Sequence, residues 1–227
     1  MKQTLFLFGL VVWTIFLAGC GSSNKTTAPI PQIQVTPDVI SATASKMNVL
    51  YIGVENPVKL NIPSVALNSL QVTGTGGGVK VKKVSDRNYI LTVRKPGETT
   101  LSITGKGYKK DIPFKVKRIP DPVARVGKSA GGAMGNGEFK AQGGVGAFLD
   151  DFDFDARCSI QGYRLTRVAK RQDPVESLNS GARYNAKSKR LIRMAKPGDT
   201  YLFTNVKARC PGDPAGRRIN TMVFNIK

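Results

Sequence analysis

The chain has 227 residues, 35 of them lysine or arginine against 15 acidic, and a formal charge of +20. Histidine is absent, which removes the commonest general base, the commonest zinc ligand and the Ser-His and Cys-His nucleophile pairs. An enzyme of this composition would have to work with carboxylates, lysine or tyrosine.

Lys2 precedes an apolar run from Leu5 to Leu17, which ends in Leu17-Ala18-Gly19-Cys20. A charged start and a short apolar core mark a secretory signal. The run falls short of the roughly 20 apolar residues that a spanning helix needs. Leu-Ala-Gly-Cys resembles the lipobox of bacterial lipoproteins. That resemblance implies cleavage of residues 1–19, diacylation of the Cys20 thiol and a mature protein held on a membrane outside the cytoplasm. The apolar run by itself allows an ordinary cleaved signal or an uncleaved anchor. Cleavage removes Lys2 and no acidic residue, leaving +19, and takes away Trp13, the only tryptophan. Outside the cytoplasm the counterpart of this charge is an acidic protein surface, anionic lipid headgroups or an acidic glycan rather than nucleic acid. A generally solvated basic surface is the alternative.

Residues 20–34 hold Ser22-Ser23-Asn24, Thr26-Thr27, Pro29 and Pro31 with little to bury, and read as a flexible tether. Ile33 to Asp38 is a first strand or the end of that tether. Short strands are then expected at Asn48–Val54, Val58–Ile62, Leu70–Val72, Val79–Val84, Tyr89–Val93, Thr99–Thr104 and Ile112–Val116. Turn residues separate them, among them the flexible Gly74–Gly78, Ser85–Asn88 and Lys95-Pro96-Gly97. Seven strands with turns every ten or so residues predict a β-sandwich of immunoglobulin-like type over residues 35–117.

Pro120 and Pro122 interrupt strand pairing and place a domain boundary in the connector Lys117–Pro122. Residues 118–227 form the second domain, mostly β and less regular. It opens on a glycine-rich stretch from Gly127 to Gly146, read as loops around one short strand at Glu138–Lys140. Strands follow at Val145–Asp151, Phe152–Asp155 and Ser159–Val168, then a charged loop over Ala169–Asn179. Ala186–Met194 reads as a short helix or turn, with Ser188 a candidate cap. Thr200–Ala208 and Thr221–Ile226 close the domain. The expected fold class is therefore all-β, two tandem immunoglobulin-like β-sandwich domains after a signal and a tether.

With Cys20 assigned to lipid, Cys158 and Cys210 form an even pair in an oxidising compartment and predict a disulfide. Two buried free thiols are the alternative. Asp151, Asp153 and Asp155 match the first oxygens of a calcium loop, but no glycine stands at the turn and no glutamate at the twelfth position. Alternation explains them without metal: Phe152 and Phe154 turn to a core and the aspartates to water. Gly127-Lys128-Ser129 lacks the glycine frame of a phosphate-binding loop. Ser45 and Ser188 have Asn48 and Leu191, not lysine, three positions on. No catalytic constellation, metal site or cofactor site is expected. The densest positive segment comprises Lys187, Lys189, Arg190, Arg193 and Lys196, a candidate partner-binding face or a solvated one.

Lys46–Val58, the connector Phe114–Pro122 and Phe152-Asp153-Phe154-Asp155 together resemble, in order, the third and fourth periplasmic domains of the gliding-motility protein family GldM (PorM). The resemblance runs from about Lys46 to Lys227. It implies a non-enzymatic module of the type IX secretion and gliding machinery of Bacteroidetes. In that family these domains form the distal end of a homodimeric rod and reach towards the GldK and GldN ring at the outer membrane. The family's transmembrane helix and first two domains have no counterpart in this sequence, where a lipobox stands in their place. The expectation is a lipid-anchored docking module on the periplasmic face of the outer membrane, with ring components as partners and, as the resemblance to a homodimeric rod implies, a second copy of the chain. A lipoprotein that binds an anionic glycan through its basic face is the second reading.

Overall fold

The computed structural model describes residues 48–60, 70–105 and 107–227. The signal (residues 1–19), Cys20, the tether, the strand expected near Ile33 and Ser45 lie outside the described residues.

The first domain contains β1 (Val49–Tyr51), β2 (Asn56–Lys59), β3 (Gln71–Gly76), β4 (Lys80–Lys83), β5 (Asn88–Thr92), β6 (Gly97–Gly105) and β7 (Tyr108–Lys117). One sheet runs β1-β7-β6-β3 and the other β2-β5-β4. The first strand pairs in parallel with the last, Val49 opposite Lys115, while β6 is antiparallel to both β7 and β3. Each sheet buries alternate residues against the other, as strand geometry dictates. Leu50, Tyr89, Leu91, Leu101, Ile103 and Val116 form the centre of that core. Asn56 ties the layers together from a buried position. Its Oδ1 accepts from the Tyr51 amide at 2.7 Å, and its Nδ2 donates to the carbonyls of Tyr51 and Leu91 at 3.0 and 3.1 Å. The glycine-rich stretch after Val72 is mostly strand: β3 continues to Gly76, and only Gly77 and Gly78 turn.

The second domain contains β8 (Val123–Arg125), β9 (Gly132–Met134), α1 (Asn136–Ala141), β10 (Gly146–Phe148), β11 (Ser159–Val168), β12 (Val175–Ser180), α2 (Ala186–Arg193), β13 (Thr200–Arg209), β14 (Arg217–Arg218) and β15 (Met222–Ile226). Its main sheet runs β12-β11-β13-β15-β9, with β14 on the end of β13. Antiparallel pairing aligns Leu165 with Phe203 and Phe203 with Met222, so one face of the sheet is a continuous apolar layer. The second layer is the β8–β10 pair with α1 and α2, which supply Ala124, Phe139, Leu191 and Ile192 to the same core, joined by Val145 just before β10. Aromatic edges lock it: Phe139 lies 4.6 Å from Tyr201 and Phe203 lies 5.8 Å from Phe224. Such tilted and edge contacts suit the ring quadrupoles.

The chain is thus all-β in two tandem immunoglobulin-like domains, the second less regular than the first. Both cores are closed by residues between Leu50 and Ile226. Among the described residues no helix is long and apolar enough to cross a membrane.

Three local expectations need correction. Glu138–Lys140 is not a strand but the middle of α1, whose one buried residue, Phe139, is carried into the core. Phe152–Asp155 is irregular backbone, although its alternation is real: both phenylalanines are half-buried and Asp151, Asp153 and Asp155 exposed. The loop expected over Ala169–Asn179 contains most of β12, whose buried residues are polar.

The two domains meet around Tyr51. Its ring takes Phe152 and Phe154 edge-on, with centroids 4.9 and 5.2 Å away. Beside it Gly53, at φ +86°, lies against the backbone of Pro211 so closely that any Cβ there would collide. Cys210, just before that turn, is joined to Cys158 by a disulfide. Arg217 Nη1 also donates to Asp121 Oδ1 of the connector at 2.8 Å.

Candidate docking face

Helix α2 owes its position to polar groups on β12. Asn185 is its N-cap, accepting from the Ser188 amide at 2.8 Å through Oδ1. Ser188, the residue expected to cap, instead lies inside the helix, fully buried. Its hydroxyl accepts from Asn179 Nδ2 at 2.7 Å, and Asn179 Oδ1 accepts from the Asn185 amide at 2.9 Å. Leu191 and Ile192 point into the core, and the Tyr201 hydroxyl donates to the Leu191 carbonyl at 2.6 Å.

The turn after α2 is set by a buried ion pair. Arg167 Nε and Nη2 donate to Asp199 Oδ2 at 3.0 and 2.8 Å, and the same oxygen accepts from the Lys196 amide at 3.2 Å. Both side chains are 6% exposed, and a single buried charge there would be costly, so the pair acts as a unit. Burial pushes the nearby Tyr201 phenol up to about 12; Arg167 opposes that shift and Asp199 adds to it. Burial also raises Tyr163 and Tyr184 above the usual phenol range.

With the apolar side of α2 committed to the core, Lys187, Lys189, Arg190 and Arg193 face outward, followed by Lys196, and all five are exposed. None pairs with a carboxylate among the described residues. Exposed Arg183 and Met194 flank them; sequence reasoning left Arg183 out, though it falls in the same acid-free stretch. Lys187–Arg190, Arg190–Arg193 and Lys189–Arg193 are like-charge neighbours at helical spacing, each costing roughly 0.2–0.5 kcal/mol. Lysines in the first turn also oppose the helix dipole. The like-charge spacing and the first-turn lysines therefore work against the helix, while Arg190 and Arg193 in its last turn suit the dipole.

Elsewhere the candidate residues form no chemical centre. Asp150 pairs with Arg125 at 2.7 Å, and Asp151, Asp153 and Asp155 face outward. No group of three potential metal ligands assembles among the described residues. Gly127-Lys128-Ser129 is a tight turn closed between Val126 and Ser129. An open cleft of about 490 Å³ lies between the Ile52–Glu55 turn, Thr92–Arg94 and Gly212, with Glu55 and Arg94 its charged residues.

Comparison with protein families matches residues 39–117 to the GldM third domain and residues 120–227 to the GldM C-terminal domain. The matched segments follow each other as the two cores do. The chain belongs to the GldM family. A comparison with curated proteins returns no match. Among solved structures, the titin tandem A164–A165 is 11% identical, covering 79% of this chain and 92% of that one, with a TM-score of 0.24. The titin I-band fragment I67–I69 is 13% identical over 79% of this chain and 62% of that one, TM-score 0.27. The Yersinia pseudotuberculosis adhesin InvE is 11% identical over 79% and 57%, TM-score 0.25. This chain spans less than two thirds of either of the last two. Likenesses at that level carry no functional argument.

Proposed function

We propose that this GldM-family chain is a non-enzymatic, lipid-anchored interaction module that docks in an envelope complex of the type IX secretion and gliding kind. The observation that carries it is the pair of family matches, third domain then C-terminal domain, each coinciding with one closed core. GldM-family domains of this kind are structural parts, and the aromatic contact between the domains, with the disulfide inside the second, suits such a part. Cys20 is the proposed anchor, and the periplasmic face of the outer membrane the proposed site. The partners proposed are ring components of the GldK and GldN type, and a homodimer is part of the same reading. Purification of a tagged chain from solubilised envelope tests it. Recovery of ring components supports docking; recovery of polysaccharide alone overturns it. Mass analysis of the mature N-terminus reads the acylation of Cys20 directly.

A further inference from the structure

We propose that the outward face of α2 is a docking surface for an anionic bilayer, with lipid phosphates as its ligands and the second domain held side-on to the membrane. The inference stands apart from the identity of any protein complex, because lipid alone tests it.

Charge, shape and side-chain chemistry point the same way. From Ser177 to Gly198 the chain carries Arg183, Lys187, Lys189, Arg190, Arg193 and Lys196 and no acidic residue. Asp199, just beyond, is buried against Arg167 and does not reach this surface. The exposed cations span α2, roughly 12 Å long at 1.5 Å per residue. Neighbours at i,i+3 and i,i+4 along it stand about 5–6 Å apart at Cβ, inside the Debye length of about 8 Å at physiological salt, so they act as one patch. The patch is the convex outside of a helix whose inner side is fixed by Leu191, Ile192 and Ser188. A plane meets a convex ridge along its length, as an interfacial helix meets a bilayer. Three of the six cations are lysines, whose ammonium groups on flexible stems reach phosphates without a fixed fork geometry. Met194, 46% exposed, follows Arg190 by one turn and offers an apolar side chain to the headgroup boundary.

The test uses residues 48–227, which contain both closed cores. Vesicles of one part phosphatidylglycerol to two parts phosphatidylcholine are compared with phosphatidylcholine alone. Binding to the anionic vesicles, weakened by salt, is expected, with none to the neutral ones. Each Lys or Arg near an anionic leaflet contributes about fivefold. Reversing three, in Lys187→Glu/Arg190→Glu/Arg193→Glu, therefore lowers affinity by more than about 100-fold. Reversing three exposed lysines of the first domain, in Lys59→Glu/Lys80→Glu/Lys82→Glu, changes net charge equally and leaves most of the affinity. Because residues 48–227 contain no tryptophan, Met194→Trp gives a single reporter, and its emission shifts to the blue on anionic vesicles. Equal losses in the two triple variants, no blue shift, or capture by polyglutamate without lipid binding would each overturn the proposal. Unchanged melting of every variant keeps a folding defect from imitating the result.

Discussion

Breaking the Cys158–Cys210 bond removes a covalent closure across 52 residues of the second domain. In the folded state the two sulfurs are already held together, because Ser159 pairs with Arg209 at that end of β11 and β13. Asp213 Oδ2 accepts from the Cys210 amide at 2.9 Å and fixes the following turn. Reduction therefore leaves the native contacts in place and acts on the unfolded chain, which regains the freedom of an open loop. In the chain-entropy model that loop is worth about 4 kcal/mol. For a domain of roughly 100 residues each kcal/mol moves Tm by about 4–8 °C, so reduction lowers the melting point of the second domain by roughly 15–30 °C. The first domain has its own core and no cysteine among its described residues, so its transition should stay. Calorimetry of residues 48–227 with and without a phosphine reductant reads both transitions. Reduction of the native pair is preferred to Cys→Ser, which would bury a hydroxyl at position 210, where the side chain is 3% exposed. A shift below about 3 °C, or an equal shift in both transitions, would refute the reasoning.

Asn185→Ala removes the N-cap of α2 and the bonds that join it to β12, costing about 1–2 kcal/mol in chemical denaturation of the second domain. Asp199→Asn leaves Arg167 charged and buried without its partner, and is expected to cost about 3–5 kcal/mol, most of it recovered in Arg167→Met/Asp199→Asn. Tyr51→Ala removes both edge-on contacts at the junction, each worth about 0.5–1.5 kcal/mol; the two melting transitions separate further and the Lys117–Pro122 connector becomes more sensitive to protease. Tyr201, raised to about 12 by burial, stabilises the fold fully below the ordinary phenol value near 10 and loses that contribution as pH climbs towards 12. Tyr163 and Tyr184 shift in the same direction. Phenolate absorbance during an alkaline titration should rise together with loss of structure, not ahead of it.

The first domain was legible because its strands follow the rule that carries most information: apolar and polar residues alternate, and Gly, Pro, Asn and Asp stand between them. Tyr89-Ile90-Leu91-Thr92-Val93 puts Tyr89, Leu91 and Val93 into the core as the pattern requires. Strand β12 hid from the same rule. Its inward residues are Ser177 and Asn179, its outward Leu178 is 70% exposed, and the polar pair is buried only because it bonds to Asn185 and Ser188 of α2. Helix α1 hid for another reason: six residues are too few to show a helical period, and its glycine-rich flanks read as loop.

The sequence by itself determined the all-β class, the cationic stretch around α2 and the family, since each is written in composition, alternation or an ordered set of motifs. Tertiary structure alone decided which face of α2 is free. A stretch of lysines and arginines does not say which side lies against a core, and only the packing of Leu191 and Ile192 under the helix turns those cations outward as one ridge. Likewise Tyr51 meets Phe152 and Phe154 across about a hundred residues of chain. That contact joins two separately closed cores, and no local pattern encodes it.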